Sequence, residues 1–198
     1  MNYPTFFDHT EAITLYDPLS EILGAFEEGK ICFTYVDVVK SAGHSCPTIA
    51  GAYLMVREGL KILYPDSLLP VRGEIEVFFK EPQKEGTTGV IANVFSLITG
   101  ATDCSGFKGL QGHFSRTNLM HFNEEISLHV KMKRRDNGKE VHVAYDPTCI
   151  AINPSMQAYM PKLFTGLLTC EEKKLFANMW QERVAQILEN FDKVITLH

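Results

Sequence analysis

The chain has 198 residues, 45% of them apolar, and a net charge of −5. That length and composition suit a single soluble domain with its own hydrophobic core. The acidic balance excludes non-specific nucleic-acid binding, which needs a basic surface against the phosphates.

The amino-terminal stretch Met1-Asn2-Tyr3-Pro4-Thr5 has no basic start followed by an apolar run, so no secretory signal is expected. No later stretch approaches the roughly 20 apolar residues that span a bilayer. Asp17 to Phe26 reads as a short helix with Leu19, Ile22, Leu23 and Phe26 on one side. Ile31 to Val39, rich in β-branched and aromatic residues, reads as a strand. A helix is predicted from Pro47 to about Leu63, where Tyr64-Pro65-Asp66 ends it. Gly51 inside it costs about 1 kcal/mol of helix propensity relative to Ala, which points to close packing at that position.

Gly73 to Lys80 alternates Ile75, Val77 and Phe79 with Glu74, Glu76 and Phe78, as a half-buried strand does. Thr88 to Ile98 reads as a second buried helix. A polar, glycine-bearing loop follows from Gly100 to Arg116, then a short strand from Asn118 to Phe122. Glu125 to Arg135 and Lys139 to Tyr145 form a predicted hairpin turned by Asp136-Asn137-Gly138, with Ile126, Leu128, Val130 and Met132 facing inward. Met160 to Leu168 and Glu171 to Phe191 read as helices, the second long and amphipathic, and Val194 to Leu197 as a closing strand. Strands and helices do not alternate strictly. The expected class is therefore α+β: one domain over 1–198, with a mixed or antiparallel sheet packed against several helices.

The five cysteines, Cys32, Cys46, Cys104, Cys149 and Cys170, are odd in number and irregular in spacing. That pattern suits reduced thiols in the cytoplasm rather than a disulfide framework. No Cys-x-x-Cys pair encodes a zinc ribbon.

Gly43-His44-Ser45-Cys46-Pro47-Thr48 is the stretch richest in chemistry. It sets an imidazole and a thiol two residues apart where a helix begins. Pro47 suits the first helical position. Cys46 then meets unpaired amides and the positive end of the helix dipole, surroundings that favour a thiolate. In an extended segment residues two apart share a side, so His44 and Cys46 can reach one ion. Further donors must come from elsewhere, and Cys104, His113 and His121 are chemically suited to Zn²⁺ or another transition ion, with Asp103 beside them. Without a metal, Cys46 acts instead as nucleophile or redox centre with His44 as its base or charge partner. A third reading is non-enzymatic: an accessory component of a larger complex or a carrier of a small-molecule cofactor.

The run Gly43-His44-Ser45-Cys46-Pro47-Thr48-Ile49-Ala50-Gly51-Ala52-Tyr53 resembles the signature of the FmdE-like family, named for its association with formylmethanofuran dehydrogenase. Leu97-Ile98-Thr99-Gly100-Ala101-Thr102 is similar to its second block, and Asn118-Leu119-Met120-His121-Phe122 to the strand that follows. The match covers roughly residues 25–145, and a helical extension over about 155–192 stands where some relatives carry a cysteine-rich zinc domain. The resemblance implies an α+β core, a metal-associated site at the signature loop and a homodimer. Only His44 and Cys46 transfer by motif. Ala42 stands where the family has its first histidine and Ala101 where its second block has a cysteine. Cys104 and His113, inside the insertion from Asp103 to Arg116, are placed to replace them.

Overall fold

The computed structural model describes residues 2–66 and 68–198; Met1, the first residue of the stretch read as lacking a secretory signal, and Ser67 lie outside them. A helical turn, α1 (Phe6–His9), and a strand, β1 (Ile13–Tyr16), come first. Neither is anticipated by hydropathy pattern, because each is only four residues long. Asp17 then caps α2 (Pro18–Ile22), accepting the amides of Leu19 and Ser20 at 3.0 and 3.3 Å. This helix stops short of Phe26 because Gly24 turns the chain at φ +66°. Its expected apolar side is not buried: Ile22, Leu23 and Phe26 are all exposed.

The segment read as one strand from Ile31 to Val39 divides in two. β2 (Lys30–Phe33) pairs antiparallel with β1, and α3 (Tyr35–Ala42) follows. Thr34 and Asp37 form a reciprocal capping box that starts α3, and Tyr35, Val36 and Val38 are buried along it. Local capping and burial thus outweigh the strand preference of its valines.

Gly43 ends α3 in the left-handed region, at φ +77°, and α4 (Pro47–Leu63) begins shortly after it, as expected. From Ile49 to Leu60 every residue of α4 is buried, which makes it the central helix of the fold. β3 (Ile75–Phe79) buries Ile75, Val77 and Phe79 and turns Glu76 and Phe78 the other way. α5 (Thr88–Thr99) packs on α4 and ends at Gly100, φ +76°.

β4 (Met120–His121) runs parallel to β3, with Val77 opposite Met120. β5 (Val130–Arg134) and β6 (Glu140–Tyr145) form the expected hairpin, although its first arm starts at Val130 rather than Glu125. Val130 and Met132 face inward as the alternation requires. α6 (Pro154–Phe164) begins before Met160 because Asn153 caps it through the Ser155 amide, 2.9 Å away, and Pro154 takes the first turn. The long carboxy-terminal helix, α7 (Cys170–Glu189), opens on a second capping box, Thr169 with Glu172. A last helical turn, α8 (Phe191–Val194), leads into β7 (Ile195–Leu197), which pairs with β6.

The main sheet has the order β4-β3-β5-β6-β7, parallel at β3-β4 and antiparallel elsewhere. It is a mixed sheet against helices, the α+β class read from the sequence. α4 packs on this sheet, chiefly at β6, and on α5, which itself reaches the sheet through Phe95 against Phe79 of β3, and α7 packs on α4 through Val184, Ile187 and Leu188. The other half of α7 stands clear of the core with α6, so Phe164 and Leu167 are 78% and 71% exposed. Among the described residues no helix is long and apolar enough to cross a membrane.

Candidate functional site

The loop between α3 and α4 is held from three directions. Ser45 is buried, and its hydroxyl lies 3.0 Å from the Tyr35 hydroxyl on α3. Its carbonyl accepts the Trp180 indole N–H at 3.0 Å and the Gln181 side-chain amide at 3.2 Å, both from α7. One residue beyond Cys46, the Pro47 carbonyl accepts the Tyr145 hydroxyl of β6 at 2.7 Å. Gly51 makes room for that tyrosine: a Cβ there would collide with the Tyr145 ring. The close packing expected at Gly51 is therefore present, and its partner is a side chain of the sheet.

Burial pushes the Tyr35 and Tyr145 phenols well above their usual range, opposed by the Ser45 hydrogen bond at Tyr35 and by Arg183 at Tyr145. Both hydroxyls therefore remain protonated and can serve as neutral donors.

His44 and Cys46 sit on either side of this fixed serine. The His44 ring is exposed, and its Nδ1 lies 3.0 Å from the Ala42 carbonyl. In the neutral ring that contact puts the proton on Nδ1 and the lone pair on Nε2, the arrangement found in metal-ligating histidines. His44 also lines a cavity of about 440 Å³ between α3, α4 and α5, where Ser41, Asn93 and Ser96 add polar groups. Cys46 is the N-cap of α4, as expected, and its side chain caps no amide. It is half-buried against the hydrophobic core. The free thiol is therefore held in place by packing rather than by a hydrogen bond.

The other three sequence-derived ligands are placed elsewhere. Cys104 is exposed in the loop after α5, where Asp103 accepts the Ser105 amide at 3.0 Å; the Ser105 hydroxyl and then its amide hold the Asp103 carboxyl below its usual range. His113 closes a tight turn with Leu110 through reciprocal backbone bonds of 2.8 and 2.9 Å. His121 lies on β4 with its ring stacked on Phe78, centroids 4.7 Å apart. Among the described residues no three His, Cys, Asp or Glu side chains gather as a metal-binding group. His44, Cys46, Cys104, His113 and His121 therefore do not form one shell, and a closed four-ligand site does not fit this donor set. The physical reason is that the loop folds back on its own base: Thr102 N–H donates to Arg116 O at 2.9 Å, and Leu119 N–H to Thr102 O at 2.9 Å.

A buried ionic cluster accompanies that loop. Asp17 receives Arg72 Nη1 at 3.0 Å and Arg116 Nη2 at 2.7 Å. Arg72 also donates to the Ile98 and Leu97 carbonyls, both at 3.1 Å, and so closes the end of α5. Burial by itself would raise the Asp17 carboxyl; the two guanidiniums and the Ser20 amide outweigh it and hold the carboxyl below its usual range. Asp17-Pro18 is a legible helix start, but no pattern links it to Arg72 and Arg116. Likewise nothing local to Ser45 marks Trp180 and Gln181 as its partners.

Fold and site together define an α+β domain with a pinned His-Ser-Cys loop at the head of its central helix. No protein-family model and no curated protein matches the chain.

Proposed function

We propose that this chain is a diverged member of the FmdE-like family and binds a transition ion, zinc foremost, through His44 and Cys46. One observation carries the reading: the Ala42 carbonyl holds His44 Nδ1, so Nε2 of the neutral ring is left free two residues from an uncommitted thiol, on a loop bonded at Ser45 and Pro47. The chain supplies half a shell. The remaining positions are filled from outside, and the cavity beside His44 has room for a small molecule that brings them. A zinc ion so held acts as a Lewis acid toward a carbonyl or a water. The homodimer belongs to the same proposal. Its support is the exposed apolar tip of α6 and α7, at Leu163, Phe164 and Leu167.

The test uses the full chain, purified under reducing conditions without an affinity tag and titrated with Co²⁺. Wild type is expected to develop a thiolate-to-cobalt absorption band. Cys46→Ala removes the band, and His44→Ala weakens binding about tenfold or more. A wild type that binds no cobalt, or variants that bind it equally well, overturns the metal reading.

A second reading follows from Ala42 and Ala101, which stand where the resemblance places a histidine and a cysteine. Ala101 is fully buried, and among the described residues no three potential ligands gather. A chain that has given up those donors serves as a non-enzymatic accessory component or carrier. Full cellular function in Cys46→Ala supports this reading over both metal and thiol chemistry.

A further inference from the structure

The central helix carries a charged group that the loop at its head does not use. Arg57 lies mid-way along α4 and is only 6% exposed. Its Nε donates to Glu58 at 2.5 Å, and among the described residues that is the single hydrogen bond its guanidinium makes to protein. Nη2 is shut off from solvent and has no partner. A guanidinium offers five N–H donors; the two on Nη2 are buried and unmet, where an unmade bond is costly, while Nη1 makes no bond to protein and is not shut off from solvent.

Arg57 also lines two cavities, one of about 280 Å³ and one of about 200 Å³. The larger is walled by the rings of Phe6 and Phe191 with Leu188 and Ala185, and the Phe191 ring centre is 4.8 Å from the Arg57 guanidinium carbon. Its size falls just below the usual range of small-molecule sites, and its lining sets one apolar wall against the polar groups of Arg57, His9, Thr10, Glu11 and Glu189.

The charges around it select the ligand. Glu58 already balances Arg57. Glu11, in the wall, lies 2.7 Å from the Lys61 ammonium and 3.7 Å from Arg57 Nε, and Glu189 adds a further carboxylate to the lining. An anion entering here meets two acidic side chains, whereas a neutral acceptor meets only the free donors. His9 is the other titratable group of the wall.

We infer that the cavity between α1, α4 and α7 binds a small uncharged molecule with a flat apolar body and a carbonyl-type oxygen, read by Nη1 of Arg57, the guanidinium nitrogen that is neither bonded to protein nor shut off from solvent. The site is independent of the His44–Cys46 loop, and its test leaves that loop untouched.

Benzamide and benzoate share shape and differ in charge, so they serve as paired probes at millimolar concentration. Binding is read by NMR on the full ¹⁵N-labelled chain, through the Arg57 Nε–H signal and the amides of Leu188 and Phe191. Benzamide is expected to give saturable shifts there and benzoate much weaker ones. Arg57→Met weakens benzamide about tenfold or more. Because Arg57 is buried, Ala185→Trp provides a second variant: it fills the cavity from α7, keeps the guanidinium and abolishes the shifts. Absence of saturable shifts in wild type, preference for benzoate, or unaltered binding in Ala185→Trp overturns the inference.

Discussion

Trp180 donates its indole N–H to the carbonyl of Ser45, 3.0 Å away and 135 residues earlier in the chain. The carboxy-terminal helix thereby holds the backbone that carries His44 and Cys46. Trp180→Phe keeps an aromatic ring and deletes the donor. It is expected to lower stability by about 1 kcal/mol and to raise the alkylation rate of Cys46, since the loop opens more often. Urea titration and timed thiol labelling read the two effects. A rate equal to wild type contradicts the anchoring role.

Gly51 and Tyr145 make a second contact of this kind. Gly51→Ala gains about 1 kcal/mol of helix propensity yet drives a methyl group into the tyrosine ring. Overpacking costs about 1–3 kcal/mol, and displacement of the ring also loses the bond to Pro47 O. The variant is expected to be less stable than wild type by calorimetry, while the double variant with Tyr145→Ala recovers part of the loss.

Acid sensitivity traces to Asp17. Its carboxyl titrates lower in the folded chain than in the unfolded one, so the folded state holds fewer protons through that range. The stabilisation is complete above about pH 4 and is lost as pH falls through the lowered folded value. Asp17→Asn leaves Arg116 buried without its carboxylate and is expected to cost about 3–5 kcal/mol at neutral pH. Denaturation curves from pH 7 down to pH 2 should therefore converge for wild type and variant at the acid end. A constant gap would assign the loss to something other than the charge.

The exposed apolar tip of α6 and α7 is the face on which the proposed homodimer rests. Wild type is expected to sediment as a dimer, and the pair Phe164→Ser with Leu167→Ser as a monomer of unchanged helix content. A monomeric wild type removes the dimer from the proposal.

The strongly periodic elements are legible in the residues themselves. α4, α5, β3 and β6 follow from hydrophobic spacing, and Cys46 with Pro47 marks the start of α4. α3 is not legible in this way, because Val36, Val38 and Val39 suit a strand and the decisive signal is the shorter pattern Thr34-x-x-Asp37. The site is legible only in its local half. His44 and Cys46 declare themselves by spacing. Ser45, which the fold uses most, reads as a filler residue because Trp180, Gln181 and Tyr35 are joined to it only by tertiary structure. Cys104, His113 and His121 have suitable chemistry but answer to their own loop and sheet. Residue type alone cannot reveal that.

The dependence of an early loop on a late helix sets an order of events during synthesis. The segment from Gly43 to Pro47 leaves the ribosome long before Trp180 and Gln181 do, and β7, which borders β6, comes later still. A nascent chain therefore carries the imidazole and the thiol on an unfinished turn. They acquire the arrangement seen here only once α7 has emerged, and no shortened product that lacks α7 inherits it.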